Sequence, residues 1–587
     1  MRKFASLSVA AVLSMVAGTA MAVPSIVDRV PADAAITIAI PSIENLEKDI
    51  RSVATIFGAP AGMINLDSIL SQVGMGGVVA KNGPLAFFVI MPGEGEMEPS
   101  QGVIFTTADF AGVVKAVGGK EENGIATAEI AGEPAYFKKL DGEFVFVSPS
   151  QEFAKKFEGK KGSAEAMKTL IGPMGDKASD KSDLSILINF DKVRPFVEMG
   201  LDQAMAQMEQ APIPEEQLEQ ITQMMEVFGS TVVKDAKAIV ASVNIDASGV
   251  SLDLTTRFAD GSKLAEITAT PGNAPSLLGK VPAMPYLAVL TADFANPGVR
   301  KLAALFPEPT PAKDAGKDGA KADAKKPADM MDMKMMKQSM ELSDGSATVI
   351  GVSPAGLMGG LLTRSVTYTA TKKPAELLKL TKDAMNKMAD SGLAEVTLTD
   401  GGAEVGGKKV DVYDVRLKPD GENPMAAQMM AGLYGMAGGP NGYISTTEGG
   451  IITTFAKSSE LMEKAVKAAG GSETLADDKV LAATGKNLPS GRVAEIYVGI
   501  KGILDSVGGF LAMANPNFKL DLPENLPPVA LSIAPGGGSV QATIYAPMPV
   551  LKVLGDVAKQ MRQGGEEGEE AKPANGGGDK GNEKPKF

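Results

Sequence analysis

The chain has 587 residues with no Cys, His or Trp, and its 71 acidic residues outnumber 58 Lys and Arg, for a formal net charge of -13. The lack of Cys excludes a disulfide framework, and the lack of His removes the commonest general base and metal ligand. An acidic surface argues against nucleic acid as a partner, because nucleic acids are bound through basic patches.

The first residues have the pattern of a secretory signal peptide. Arg2 and Lys3 precede an apolar run from Phe4 to Ala17, and small residues stand at Ala20 and Ala22. This pattern predicts a signal peptide over 1–22, cleaved near Ala22, and a periplasmic or extracellular location. No later stretch reaches about 18 uninterrupted apolar residues, so we expect no integral membrane span in the mature chain.

A strand-turn-helix unit occurs twice in the chain. Residues 142–157 read GEFVFVSPSQEFAKKF, and residues 450–465 read GIITTFAKSSELMEKA. In each copy an apolar run leads to a Ser, Ser150 or Ser458, that is placed to cap a helix. A Glu follows in the first helical turn, where the helix dipole favours negative charge. The order of several other segments is also kept, which predicts an internal duplication.

The other predicted elements follow in chain order. In the first half we expect strands at 35–40, 85–91, 103–107, 126–130, 136–140, 184–190, 239–245 and 250–258, and helices after Ser42, from Phe110 to Val117 and from Val193 to Met208. In the second half we expect strands at 286–290, 366–371, 395–398, 410–417, 493–500, 529–533 and 540–545, with a helix near Pro374. These assignments rest on apolar periodicity and turn residues.

Most predicted strands are adjacent pairs joined by tight turns, and helices follow some of them. This predicts an α+β fold of two tandem, duplicated domains, each a largely antiparallel sheet with helices covering one face. The first domain covers 23–273; the second starts at 274–306 and continues at 330–561. A tract rich in Pro, Ala, Lys and Asp at 307–329 predicts a disordered linker insertion, and 562–587 predicts a disordered tail.

A Pro-Ala pair stands before the first strand of each half, at Pro31 and Pro282. It recurs together with the repeated strand-helix units and the capping Ser residues. In this organisation the chain resembles a family of exported bacterial proteins of unknown function built from repeated strand-helix units. The resemblance implies the α+β repeat architecture and assigns a role to no single residue.

The motifs that carry chemistry are weak. Residues 402–408, GAEVGGK, fit a nucleotide-binding loop, but Lys409 stands where Ser or Thr should hold Mg²⁺, and a strand pattern follows in place of a helix. A Gly-rich hairpin turn is the better interpretation. No Ser has a Lys three residues later, and no pair of carboxylates stands out among the 71 acidic residues. We therefore expect no catalytic residue, no metal and no cofactor.

Methionine is unusually frequent, at 32 residues. One group lies at 330–340 and predicts a short amphipathic helix that docks on a domain. A second group stands in a Gly-rich insertion and is the candidate apolar-ligand contact: Met425, Met429, Met430 and Met436. Thioethers also fill irregular cores or bind Cu(I), and these alternatives stay open.

Three functions are compatible with the sequence. The first is a non-catalytic exported envelope protein, a duplicated scaffold that binds another protein or surface component. The second is a periplasmic carrier of an apolar ligand or lipid, and the third is a hydrolase that uses carboxylates. A continuous apolar pocket would favour the carrier, a closed core the scaffold, and buried convergent carboxylates the hydrolase.

Overall fold

The computed structural model describes residues 26–569, except for some internal residues. These are 61–64, 66–67, 69–70, 72–78, 94–97, 131, 161, 181, 209–221, 223–227, 306–332, 355, 391–393, 418–431, 436–437 and 515–520.

The described residues form twenty β-strands. In the first half they are β1 Ile36–Ile40, β2 Leu85–Ile90, β3 Ser100–Thr106, β4 Lys120–Glu122, β5 Ile125–Ile130, β6 Glu133–Lys139, β7 Phe144–Ser148, β8 Leu184–Asn189, β9 Ala236–Ile245 and β10 Gly249–Phe258. In the second half they are β11 Tyr286–Ala292, β12 Gly345–Gly351, β13 Ser365–Ala370, β14 Ala394–Val405, β15 Lys408–Leu417, β16 Asn441–Thr447, β17 Gly450–Thr454, β18 Ala494–Val498, β19 Val529–Gly536 and β20 Ser539–Pro547.

The α-helices lie between and after these strands. They are α1 Ile43–Ile56, α2 Phe110–Ala116, α3 Gln151–Lys156, α4 Ser163–Ser179, α5 Phe190–Met208, α6 Lys263–Ile267, α7 Pro297–Ala303, α8 Met333–Leu342, α9 Pro374–Asp390, α10 Ser459–Ala469, α11 Lys479–Gly485, α12 Ile500–Ala514 and α13 Met548–Glu569. The α+β class predicted from the sequence is therefore confirmed.

All of these strands belong to one antiparallel sheet. Outward from the central β10–β20 pair, the first half runs β10-β9-β8-β1-β2-β3-β7-β6-β5-β4. The second half runs β20-β19-β18-β11-β12-β13-β17-β16-β15-β14. The two orders match strand for strand, and the repeated unit supplies β7 in one and β17 in the other.

The sequence predicted a separate sheet in each half, and the structure corrects this. Residues 249–257 of β10 pair with residues 539–547 of β20 along their whole length, so the two halves share one sheet. The last strand of each half would otherwise be an edge with unpaired N–H and C=O groups. Pairing the two edges with each other satisfies both.

Helices cover both faces of the first half of the sheet, and the prediction of one covered face is wrong there. Phe87 and Phe105 pack with α1, α2 and Met548 of α13, whereas Phe88 and Phe146 pack on the opposite face with α3 and α4. Successive strand residues point to opposite faces, so a continuous apolar run such as β2 requires a core on each side.

Local sequence signals explain the helix starts. The Ser42 side chain accepts a hydrogen bond from the Asn45 N–H, Ser150 accepts from Phe153, and Ser458 accepts from Leu461. All three caps were predicted. The Gly-rich segment at 402–408 is the end of β14 and a turn into β15, which agrees with the hairpin interpretation.

Candidate apolar binding site

An apolar depression of about 550 Å³ lies on the middle of the sheet, where the two halves meet. We call it the cradle. Its floor is formed by twelve side chains from six neighbouring strands, β8, β9, β10, β20, β19 and β18. The strand register places them in two rows that cross these strands in that order. The first row is Leu184, Val243, Leu252, Ile544, Leu531 and Ile496; the second row is Ile186, Ala241, Leu254, Ala542, Ile533 and Ala494.

The cradle leaves large aliphatic side chains accessible at the centre of the sheet. Leu254 is 49% exposed, Ile533 47%, Ile544 44% and Leu252 42%. Single exposed apolar residues are normal, but a contiguous group of them indicates a binding surface.

Helices border the cradle on its first-half side. Next to the first row, Ile245 and Val250 pack with Met548 and Leu551 of α13. Next to the second row, Ile188 and Ile239 pack with α5. On this side the exposed part of the cradle therefore lies between two helix-covered zones and forms a groove.

Alternation along the strands explains why the groove is apolar. Polar residues of the same strands point to the opposite face, which α4 covers near Leu187 and Val240. Asp253 is one of them: its Oδ1 accepts hydrogen bonds from Thr543 Oγ1 at 2.5 Å and Gln541 Nε2 at 2.8 Å. This contact joins β10 to β20 beneath the cradle.

A buried ion pair also lies on the opposite face. Arg492 Nε donates to Glu495 Oε2 at 2.6 Å, and the Tyr497 hydroxyl donates to the same oxygen at 3.1 Å. The Glu495 side chain is fully buried, and burial raises the pKa of Tyr497, with the nearby Glu495 charge adding to the shift. Glu495 borders the cradle, but its carboxylate is hydrogen-bonded in the core on the opposite face.

The candidate contacts predicted from the sequence, Met425, Met429, Met430 and Met436, lie outside the described residues. The Met-rich segment is a helix from Met333, within α8, and α8 packs beside α9. Sequence reasoning found the strands of the cradle and missed the site. The available signal was the alternation of apolar and polar residues in strands that are buried on one face only.

Within the described residues, no group of three or more acidic side chains is arranged to hold a metal ion. No described helix is both long and apolar enough to cross a membrane.

Comparisons with known proteins identify no family. No protein-family model matches the chain, and no curated protein matches it. A solved structure titled "Structure of crystal form IV of TP0453" aligns with 40% of this chain and 81% of its own, at 9% identity and a TM-score of 0.19. A similarity of this size supports no inference about fold or function.

Proposed function

We propose that this protein is a non-catalytic exported envelope protein that binds and carries an apolar ligand in the cradle. The observation that carries the proposal is the pair of accessible aliphatic rows at the centre of the sheet, bordered by helices on the first-half side. Ligand pockets are mostly apolar depressions of about 300–1,000 Å³, and the cradle is in this range. The carrier is therefore preferred over the scaffold and the hydrolase.

The size of the cradle favours a small ligand over a protein partner. Six strands span about 24 Å, and two rows span about 13 Å along the strands, which makes a footprint of about 300 Å². A stable protein interface buries about 800 Å² on each partner and carries about ten hydrogen bonds. The side chains of both rows are aliphatic, so they neither donate nor accept hydrogen bonds.

Two further parts of the proposal concern origin and location. The matching strand orders of the two halves support a duplication of one ancestral α+β unit. The signal-like segment at 1–22 supports export, with the mature chain starting after Ala22.

The proposal is tested with the mature chain, residues 23–587, and a dye that fluoresces in apolar surroundings. We expect saturable binding, and at least a tenfold loss of affinity in Leu254→Gln, because an amide in the cradle must give up its hydration. Leu302→Gln is the matched control, since Leu302 is 43% exposed on α7, away from the cradle. Its affinity should stay within twofold of wild type. Absence of saturable binding, or equal binding by the two variants, would overturn the proposal.

A further inference from the structure

The two rows of the cradle differ in a way that specifies the shape of the ligand. We propose that the ligand is a single linear, unbranched hydrocarbon chain that lies along the second row, across the strands. This inference rests on the proposed function and names its ligand class.

Small side chains are confined to the second row. It contains Ala241, Ala542 and Ala494, whereas each side chain of the first row is Leu, Ile or Val. The matching strand order gives each Ala a counterpart in the first row, on the equivalent strand of the other half. The counterparts of Ala241, Ala542 and Ala494 are Leu531, Leu252 and Leu184. At all three pairs of equivalent positions, the small side chain is therefore in the second row and the large one is in the first row.

The spacing of the alanines suits a flexible chain. They lie on β9, β20 and β18, which are alternate strands, so neighbouring alanines are about 10 Å apart along a row of about 24 Å. Leu254 and Ile533 stand between them, and Ile186 ends the row beyond Ala241. A linear chain can follow this alternation of large and small side chains by rotation about its single bonds. A rigid fused-ring compound would bridge the three depressions without filling them.

The length of the row exceeds that of a common lipid chain. One leaflet of a bilayer has a hydrocarbon thickness of about 15 Å, half of the roughly 30 Å core. A chain of that length is covered by the second row along its whole extent, with its polar end left in solvent.

Charge has no part in this recognition. The described lining contains no Lys or Arg, and its carboxylates, Asp253 and Glu495, are hydrogen-bonded on the opposite face. We therefore expect a fatty acid and the corresponding fatty alcohol to bind equally, and their binding to be insensitive to salt.

The experiment measures affinities of the mature chain for saturated fatty alcohols of increasing length and for a sterol, by displacement of the apolar dye. We expect a two- to fourfold gain for each added methylene, up to the length of the row, because each buried methylene contributes about this factor. The sterol should bind at least tenfold more weakly than the best linear alcohol.

The deciding variant is Ala241→Leu with Ala542→Leu. It fills two depressions of the second row with Leu, the residue that stands at both equivalent positions of the first row. Circular dichroism should show an unchanged fold. We expect at least a tenfold loss for the longest alcohols. The control, Ala303→Leu with Ala304→Leu, adds the same bulk at two exposed positions at the end of α7, away from the cradle, and should change affinity by less than twofold.

Two outcomes separate this inference from the proposed function. If the wild-type chain binds neither dye nor alcohol, the proposed function fails. If dye binding is lost in Leu254→Gln but the sterol binds as tightly as the alcohols, or the double variant retains full affinity for them, the linear-chain inference is wrong and the apolar carrier stands.

Discussion

The two halves of the sheet use the same strand order but bury different polar groups at equivalent places. Just before and within β8, Ser182 and Ser185 share a hydrogen bond between their hydroxyls, and Ser182 also donates to the Ser179 carbonyl at 2.8 Å. The counterpart residues at β18 are Arg492 and Glu495, which form the buried ion pair.

The comparison shows that strand order does not depend on the polar residues. In both halves the strands keep their backbone pairing and their apolar alternation, and the two polar residues are hydrogen-bonded to each other three positions apart in the chain. The energetic consequences of the two solutions differ, however. A buried hydroxyl loses little when its partner is removed, whereas a buried charge without its partner is costly.

The largest expected effect is therefore at Glu495. Glu495→Ala should lower the free energy of unfolding by about 3–5 kcal/mol, because it leaves the Arg492 guanidinium charged and nearly buried. The matched change in the first half, Ser185→Ala, should cost about 1 kcal/mol. Urea unfolding at neutral pH measures both.

A double variant sharpens this test. Arg492→Met with Glu495→Leu removes both charges and should recover most of the lost stability. Equal costs for Glu495→Ala and Ser185→Ala would show that the ion pair is no more demanding than the two hydroxyls.

The second comparison concerns helix α13, which starts in the second half and packs on α1 of the first half. A Cβ on Gly555 would lie 2.2 Å from the Ile56 carbonyl oxygen and 2.7 Å from Ile56 Cγ2, whereas a Cβ on Gly508 of α12 would have no neighbour within 4 Å among the described residues. Gly555→Ala should destabilise by about 1–3 kcal/mol through overpacking. Gly508→Ala should stabilise by about 0.5–1 kcal/mol through helix propensity. Thermal unfolding of both variants measures whether each change raises or lowers stability. A higher stability of Gly555→Ala would mean that α13 does not pack closely on α1.

A further effect, absent at neutral pH, is on the dependence of stability on pH. Burial is the main cause that raises the pKa of Tyr286, Tyr413 and Tyr497, all in the second half. A raised pKa means that the folded chain keeps these protons after the unfolded chain starts to lose them near pH 10. The stabilisation is complete below pH 10 and is lost as pH rises above it, by about 1.4 kcal/mol per tyrosine per pH unit.

Thermal unfolding followed from pH 8 to 11 tests this expectation. Tyr286→Phe removes one of the three groups and should make the loss above pH 10 less steep. Identical slopes in wild type and variant would indicate that Tyr286 ionises equally in the folded and unfolded chains.

Local features of the fold were predictable from the sequence. The caps at Ser42, Ser150 and Ser458 depend on residues three positions apart, and the hairpin of β9 and β10 depends on the turn that joins them. The places of β7 and β17 in the sheet agree with the repeat of one strand-turn-helix unit. These interactions lie within short segments, so residue spacing is enough to indicate them.

The site was not predictable in the same way. The alternation in β9, β10, β19 and β20 shows that each strand has one apolar face, but it does not show whether a helix covers that face. Which residues share a row depends on the pairing of Leu252 with Ile544 and of Leu254 with Ala542, across nearly 300 residues of chain.

The sequence by itself determined the α+β class, most strands and helices, and the capping residues, because these follow from periodicity and short-range hydrogen bonding. The tertiary structure decided that the two halves share a sheet, that α13 packs on the first half, and that six central strands leave an apolar groove open. These features depend on long-range strand pairing and on the competition of helices for the two faces of the sheet. Neither is expressed in the spacing of residues along the chain.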